Sequence, residues 1–220
     1  MKRKSSVIFE ISKRLLFLYV RILFKVKMYG RKKVPSPPFI VTSNHASLID
    51  PPLVGMACGW NFVNFMAKQE LFDMPLVGAW CRMVGCIPVK RGENSVRSLK
   101  EAVKRLHEGY AVGIFPEGTR SADGELQSAK RGIGFLVAKA AVPVVPVYVS
   151  GTSEAFPKGK PIKKGTRIEV HVGNPISPEE IAAVPGGIKD YDSIAGMVMD
   201  RIALIKEEVE ASGKTQSGRS

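Results

Sequence analysis

The chain has 220 residues, of which 45% are hydrophobic and 24% are charged, a balance typical of a folded domain rather than a disordered polypeptide. Its length suffices for one domain with a sizeable core plus an appendage. The cysteines Cys58, Cys81 and Cys86 have neither Cys-x-x-Cys nor Cys/His ligand spacing. We therefore expect reduced thiols in an intracellular protein, and no metal site.

The formal net charge of +13 is concentrated near the amino terminus. Residues 1–33 contain eleven lysines and arginines against one acid, Glu10, whereas the other 187 residues contain 22 basic and 19 acidic side chains. The N-terminal segment is therefore expected to meet an acidic partner, either a membrane surface or a nucleic acid.

The segment "FEISKRLLFLYVRILFKVKMYG" (9–30) is apolar but too interrupted to span a bilayer. Its longest uncharged run, Leu15–Val20, has six residues against the roughly 20 that a span needs. A secretory signal peptide does not fit either, because basic residues interrupt the apolar region and no small-residue cleavage site follows.

Helical periodicity gives this segment two faces. Lys13, Arg14, Arg21 and Lys25 form a cationic face. The other face is a wide apolar stripe, made of Ile8, Ile11, Leu15, Leu16, Leu18, Tyr19, Ile22, Leu23, Val26 and Tyr29. The pattern predicts a helix lying in a membrane interface, where each cation contributes about 1 kcal/mol near anionic lipid. The alternative is a helix packed on its own domain. Nucleic acid is disfavoured because the second face is aliphatic.

Beyond Pro35, strands alternate with helices. Short apolar runs predict strands at 39–43, 62–67, 86–89, 110–115, 142–149 and 166–172. Helices are predicted to begin at Pro51 and to cover about 75–83, 94–109, 128–141 and 190–211, with a capping box at 177–180. This order predicts an α/β fold with a largely parallel sheet flanked by helices, preceded by an N-terminal basic amphipathic helical membrane anchor. The expected organisation is an anchor at 1–34, a domain at 35–211 and a disordered tail at 212–220.

Polar clusters follow four of the predicted strands. They are Asn44–Asp50, Lys68, Arg91 and the stretch "PEGTRS" at 116–121. Because ligands bind beyond the carboxyl ends of the strands in such sheets, we expect these clusters to converge on one edge.

The motifs of several enzyme classes are missing from the sequence. It contains neither GxSxG nor GxxxxGK[ST], and "GIGFLV" (132–137) lacks the last glycine of GxGxxG. What remains is His45 with Asp50. Histidine is the usual general base near neutral pH, and a carboxylate on its other ring nitrogen fixes the tautomer and stabilises the imidazolium. The alternative is that Asp50 only caps a helix that begins at Pro51.

Three cations are predicted at the same edge. Together, Lys68, Arg91 and Arg120 suit an anionic group such as a phosphate, although each alone is an ordinary surface residue. Glu117, between Pro116 and Gly118, is placed to pair with an arginine or to accept a hydrogen bond from a hydroxyl.

These motifs resemble the blocks of the glycerolipid acyltransferase family. "NHASLID" (44–50) matches its NHxxxxD block, and "FPEGTRS" (115–121) matches its third block. "GCIPVKR" (85–91) and "VPVVPV" (142–147) are similar to the second and fourth, and "AKQEL" (67–71) resembles the stretch after the first. The order and spacing hold across about residues 38–150.

The resemblance implies roles for individual residues. His45 would deprotonate an acceptor hydroxyl, and Asp50 would orient His45. Lys68, Arg91 and Arg120 would hold the phosphate of the acceptor. Glu117 and Gly118 would shape the site for its glycerol, and Thr119 would also bind the substrate.

The resemblance also implies a reaction. A fatty acyl group would move from acyl-coenzyme A or acyl-carrier protein to the sn-2 hydroxyl of lysophosphatidic acid, giving phosphatidic acid without a covalent acyl-enzyme, a cofactor or a metal. Glycerol 3-phosphate and other lysophospholipids are alternative acceptors, and a non-catalytic basic membrane tether is the rival of another class. The expected partners are anionic membrane lipid, the lysolipid and the thioester donor, with no nucleic acid. We expect a peripheral or monotopic protein on the cytoplasmic face of the cell membrane.

Overall fold

The computed structural model of the chain describes residues 7–59, 63–90, 95–157 and 159–217. Within these ranges, seven strands form one sheet. They are β1 (Lys25–Tyr29), β2 (Ile40–Ser43), β3 (Val63–Lys68), β4 (Ile87–Val89), β5 (Ala111–Ile114), β6 (Val144–Ser150) and β7 (Arg167–Val172). The helices are α1 (Val7–Leu23), α2 (Asp50–Ala57), α3 (Gln69–Asp73), α4 (Pro75–Val84), α5 (Ser95–His107), α6 (Arg131–Ala140), α7 (Thr152–Ala155), α8 (Pro178–Ala182) and α9 (Tyr191–Ser217).

The sheet has the order β1-β7-β6-β2-β5-β3-β4. β6, β2, β5, β3 and β4 are parallel to one another, whereas β7 is antiparallel to β6 and parallel to β1. The prediction of an α/β fold with a largely parallel sheet is confirmed. Since the chain leaves β2 toward β3 on one side and later returns to β6 on the other, the carboxyl end of β2 is the switch point of the sheet.

Each face of the sheet carries its own core. Phe39 and Val147 pack with α1 and α2 on one face, and Ile40 packs with α5, α6 and α9 on the other. All four residues of β2 are buried. A large aliphatic or aromatic side chain contributes about 1.5–3 kcal/mol when fully buried, so β2 is held firmly from both sides. The loop that follows β2 therefore starts from a rigid position.

The N-terminal segment differs from the prediction in its second half. α1 ends at Leu23, and Lys25–Tyr29 is a strand that pairs in register with Arg167–His171 of β7. Val26 and Met28 are partly buried between exposed neighbours, which is the two-residue period of a strand. The expectation of one helix reaching Tyr29 is wrong, because pairing with β7 satisfies the backbone there.

α1 packs on the domain along one side only. Val20 and Leu23 are buried in the core. Lys13, assigned to the open cationic face, is only 8% exposed and lies 2.8 Å from Glu10. A stripe on another side stays open, with exposures between 52% and 72%; its members are Ile11, Leu15, Leu18 and Ile22. No helix in the described part of the chain combines the length and apolar character needed to cross a membrane.

The last helix is longer than expected. α9 runs to Ser217, so residues 212–217 of the predicted disordered tail are helical. These residues contain no proline, and one glycine inside a helix costs only about 1 kcal/mol. The predicted capping box is confirmed, since the Ser177 hydroxyl accepts the N–H of Glu180 and the Glu180 carboxylate accepts the N–H of Ser177.

Candidate active site

His45 and Asp50 meet at the carboxyl end of β2. Nδ1 of His45 lies 2.9 Å from Oδ2 of Asp50, which confirms that the loop brings the two side chains together. Asp50 is fully buried, whereas the imidazole is 16% exposed. Because a carboxylate only accepts hydrogen bonds, this contact assigns the proton to Nδ1 and leaves the lone pair on Nε2.

Asp50 also organises the loop that carries His45. Its Oδ2 accepts the N–H groups of Ala46 and Ser47, both at 2.7 Å. α2 begins at Asp50 itself, its N-cap is Ile49, and no side chain caps the helix. The alternative of Asp50 as a helix cap is therefore wrong. The next two helical positions, Pro51 and Pro52, have no N–H to offer, so the carboxylate bonds back to the loop instead.

The segment after β5 holds His45 from both sides. Oε1 of Glu117 accepts the N–H of His45 at 3.1 Å, and the N–H of Ser121 donates to the His45 carbonyl oxygen at 2.7 Å. The Phe115 ring stacks on the imidazole with 4.0 Å between centroids. Behind it lies the ring of Phe65, which Gly113 admits because a Cβ there would come within 2.3 Å of the Phe65 ring. The stretch "FPEGTRS" thus fixes both the backbone and the ring of His45.

Asn44 ties the same loop to β6. Its Nδ2 donates to the carbonyl oxygen of Val149 at 2.9 Å, and its Oδ1 accepts the Val149 N–H at 2.8 Å. The side-chain amide thereby reproduces a backbone pairing just past the end of β2. The positioning contacts of Asn44, Phe115 and Ser121 were not predicted. The one available signal was an asparagine placed between a buried strand and a candidate catalytic histidine.

The carboxyl group of Glu117 is buried, which disfavours its charged form. It is 1% exposed, and burial raises the pKa of its carboxyl to about 7; the Asp50 charge adds to this rise, and the His45 N–H opposes it. Oε2 of Glu117 and Oδ1 of Asp50 are buried without a hydrogen-bond partner among the described residues. A protonated Glu117 gains an O–H donor, which lowers the cost of this arrangement. Its observed contact is with the His45 backbone, and no pairing with an arginine is found within the described ranges.

The predicted phosphate-binding cations are more exposed than the His45 loop. Arg120 is partly exposed in the turn after β5, next to the exposed Gly118 and Thr119. Gly118 has φ +69°, a conformation that favours glycine, so its identity is explained by the turn itself. Lys68 is the exposed last residue of β3, at the same edge of the sheet. Arg91 lies outside the described residues, so its phosphate contact stays a prediction.

This geometry supports proton abstraction by Nε2 of His45, next to a place for an anionic group. In the described ranges, no cluster of three or more histidine, cysteine or acidic side chains is arranged to hold a metal ion. Within the described ranges, no serine, threonine or cysteine side chain is hydrogen-bonded to the His45 imidazole, whose Nδ1 contacts Asp50. A buried carboxylate on Nδ1 is the arrangement expected of a general base.

Residues 25–150 match the family model described as Acyltransferase. The chain therefore belongs to the acyltransferase family. The match runs from β1 to the end of β6, so it contains every residue predicted for the site. It also includes β1, in agreement with that strand being part of the domain.

Individual relatives agree with this assignment. A 1-acyl-sn-glycerol-3-phosphate acyltransferase of Bacillus subtilis is 30% identical over 161 residues, which cover 73% of this chain and 78% of the relative. A chloroplast enzyme of the same name from Arabidopsis thaliana is 36% identical over 140 residues, covering 62% of this chain and 39% of the relative. The chain thus spans about two fifths of the length of that plant relative.

Among solved structures, the chain is similar to the crystal structure of the 1-acyl-sn-glycerophosphate (LPA) acyltransferase of Thermotoga maritima. The TM-score is 0.74 at 28% identity, and the similarity covers 92% of this chain and 78% of the other. The similarity extends well beyond the short sequence blocks to the arrangement of the sheet and its helices.

Proposed function

We propose that this chain transfers an acyl group from an acyl thioester to the sn-2 hydroxyl of lysophosphatidic acid, giving phosphatidic acid. The observation that carries the proposal is the 2.9 Å contact between His45 and a fully buried Asp50, on a loop that the third family block holds in place. The names of the similar proteins support the choice of acceptor.

In the proposed reaction, Nε2 of His45 takes the proton of the acceptor hydroxyl as its oxygen attacks the thioester carbonyl. The tetrahedral intermediate then collapses, the C–S bond breaks, and the imidazolium returns the proton to the departing thiolate. Asp50 stabilises the imidazolium through the Nδ1–H contact. The thioester is already activated, so the reaction needs no covalent acyl-enzyme, cofactor or metal.

The acceptor's phosphate is assigned to the open cations of the same edge. Arg120 lies in the turn after β5, and Lys68 is the last residue of β3. These two strands are neighbours in the sheet. Arg91 is included through its position at the end of the second family block. Gly118 and Thr119, in the turn before Arg120, would border the glycerol. Arginine suits this role because its guanidinium makes two parallel hydrogen bonds to phosphate oxygens.

α1 is proposed to place the protein on the lipid surface that supplies the acceptor. Leu15, Leu18 and Ile22 leave 55–72% of their surface open on a helix whose other side is already packed. Arg14 and Arg21, both exposed, flank this stripe. Apolar burial flanked by cations favours the interface of an anionic membrane. A peripheral position on the cytoplasmic face fits Cys58, Cys81 and Cys86, which form no disulfide with one another.

The activity is tested by thiol release from palmitoyl-CoA and from palmitoyl-acyl-carrier protein. The acceptors are lysophosphatidic acid, glycerol 3-phosphate and lysophosphatidylcholine, and the product is identified by mass spectrometry. We expect phosphatidic acid from the wild type and from His107→Ala, whose histidine is exposed on α5. His45→Ala should lose at least about 100-fold in rate, the lower range for a general base. Near-normal turnover by His45→Ala would contradict the mechanism. Acylation of glycerol 3-phosphate but not of lysophosphatidic acid would contradict the proposed acceptor.

Membrane attachment is tested by flotation with phosphatidylcholine vesicles that contain phosphatidylglycerol. Replacing Leu18 and Ile22 by glutamate should abolish flotation, because both side chains would lose their apolar contact with lipid. The matched control replaces Leu204 and Ile188 by glutamate. These two side chains are 52% and 45% exposed elsewhere on the surface. Equal flotation of the two double variants would contradict the role of α1.

A further inference from the structure

A second cationic site lies at the far end of the same sheet edge, between β4 and α5. It is a cavity of about 620 Å³, within the range of about 300–1,000 Å³ found for small-molecule sites. Cys86, Ile87 and Pro88 form its less polar part. We call it the α5 groove and define it by its charged lining, which is Lys90, Arg97, Lys100, Glu101, Lys104 and Arg105.

The charges of the α5 groove are unbalanced. Five cations face one carboxylate, and that carboxylate, Glu101, is already engaged by Arg105 at 2.9 Å. Lys104 lies 3.9 Å from Glu108. Lys90, Arg97 and Lys100 form no ion pair within the described residues. An open groove with three uncompensated cations is complementary to a ligand with several negative charges.

The position of the groove relates it to His45. Gln69 and Lys90, which directly follow β3 and β4, line it, so it opens at the carboxyl edge that also carries His45. In the sheet, β4 is three strands away from β2. With about 4.8 Å between neighbouring strands, the groove begins roughly 14 Å from the strand that leads to His45. This separation calls for a ligand whose charged end is distant from its reacting end.

The character of α5 distinguishes this surface from α1. Most apolar residues of α5 face inward, with Ala102 and Leu106 fully buried and Leu99 and Val103 packed against the same core. Val96 is 51% exposed, but as a single residue rather than as part of a stripe. α1 instead presents an exposed aliphatic stripe beside its cations. A helix that offers cations without such a stripe, above a concave cavity, suits a soluble polyanion better than the acyl region of a bilayer.

We propose that the α5 groove binds the phosphorylated nucleotide of coenzyme A, with Arg97 and Lys100 contacting its phosphates. The pantetheine arm then extends along the sheet edge and delivers the thioester to His45. This proposal rests on the proposed function, because it assigns the donor site of that reaction. It assigns the donor's phosphates to residues other than those proposed for the acceptor's phosphate, which are Lys68, Arg91 and Arg120.

The experiment compares the wild type with the double variant Arg97→Ala/Lys100→Ala. The matched control is Lys139→Ala/Lys189→Ala, which removes two exposed cations elsewhere. Donors are palmitoyl-CoA, palmitoyl-acyl-carrier protein and S-palmitoyl pantetheine, which lacks the nucleotide. We expect about a tenfold rise in KM for palmitoyl-CoA in the groove variant, the loss of two solvent-screened charge contacts. KM for lysophosphatidic acid should stay constant, and S-palmitoyl pantetheine should serve all three proteins equally poorly.

Direct binding separates this proposal from the proposed reaction. Titration calorimetry with adenosine 3′,5′-bisphosphate is carried out on the wild type, His45→Ala and both double variants, with no turnover required. Binding to the wild type and His45→Ala but not to the groove variant supports the proposal, even if no acceptor is ever acylated. Equal binding to the groove variant and the wild type, or none to either, overturns it.

Three further outcomes also overturn the proposal. The first is a KM effect confined to palmitoyl-acyl-carrier protein, which would assign the groove to an acidic protein surface. The second is an equal loss with S-palmitoyl pantetheine, which would show a general structural effect. The third is lost vesicle flotation with an unchanged KM for palmitoyl-CoA in detergent, which would assign the groove to lipid headgroups.

Discussion

Two loops at the same sheet edge are built in opposite ways. The loop from Asn44 to Asp50 is fixed by the backbone of β6, by the Asp50 side chain of α2 and by the segment after β5. The turn at Gly118–Arg120 is exposed or partly exposed, although it directly follows the buried Glu117. The proposed base is thus preorganised by buried contacts, whereas the proposed phosphate ligands remain open to solvent. Under the proposed function, the residues for chemistry are thus the buried ones, and the residues for recognition are the exposed ones.

The strongest test of the comparison is Asp50→Asn. Oδ2 of Asp50 accepts from Nδ1 of His45 and from the N–H groups of Ala46 and Ser47, so the asparagine carbonyl oxygen would take its place and the negative charge that stabilises the imidazolium would be lost. We expect kcat to fall by about 10²–10⁴-fold, the range of a general acid–base contribution. The measurement is initial rate at saturating donor and acceptor, with Asp200→Asn, an exposed aspartate on α9, as the control. A variant within a few-fold of wild type would show that the fixed loop is not the catalytic one.

The open turn is tested by Arg120→Ala. Loss of a charge-assisted contact to phosphate should raise KM for lysophosphatidic acid by about ten- to one-hundred-fold, at roughly 1.5–3 kcal/mol, with little change in thermal stability. Steady-state kinetics at varied acceptor provide the measurement. Arg131→Ala, which removes an exposed arginine paired with Asp192, is the matched control. An unchanged acceptor KM would remove Arg120 from recognition.

Glu117 lies at the border between the two loops, and its titration tests the buried side. Between its ordinary pKa of 4.5 and the raised value of about 7, the folded protein holds a proton that the unfolded chain has released. Its contribution to stability is therefore complete below pH 4.5 and is lost as pH rises through about 7. Glu117→Gln should remove this dependence, so that stability relative to wild type rises by about 1–3 kcal/mol between pH 5 and pH 8.

Urea unfolding at several pH values measures this difference. Glu70→Gln, on exposed α3, serves as the control because its side chain is open to solvent. If wild type and Glu117→Gln gave parallel curves between pH 5 and pH 8, the buried carboxyl would not be protonated in this range.

The sequence predicted where the strands after β1 lie along the chain and at which sheet edge the motifs meet. It could do so because hydrophobic periodicity and turn-forming residues are local signals. β1 escaped prediction for a physical reason. In Lys25–Tyr29, two lysines alternate with Val26 and Met28, a pattern that fits the end of a helix as well as a strand. Only the pairing with β7, about 140 positions later in the chain, decides between the two.

The site shows the same division between local and distant information. The five-residue spacing allowed the His45–Asp50 contact but left a helix cap as the alternative, and the resemblance of the other blocks favoured the pair. The bonds of Glu117 and Ser121 to the His45 backbone depend on how segments about 70 positions apart fold together. The backward bonds of Asp50 are local but depend on the conformation that the loop adopts. The spacing of residues in the sequence does not predict such contacts. Glu117 was accordingly assigned to the substrate, whereas the structure places it against the His45 backbone.

The hold of the Glu117–Ser121 segment on His45 has a consequence for a chain still being synthesised. Translation completes the loop after β2 roughly 70 residues before the segment that anchors it. An emerging or truncated chain that ends before β5 contains His45 and Asp50 but lacks both bonds to the His45 backbone and the Phe115 ring. Under the proposed function, such a chain would have no assembled base with which to hydrolyse thioesters. The proposed reactivity would arise only after about half of the sequence has been made and the central strands have been paired.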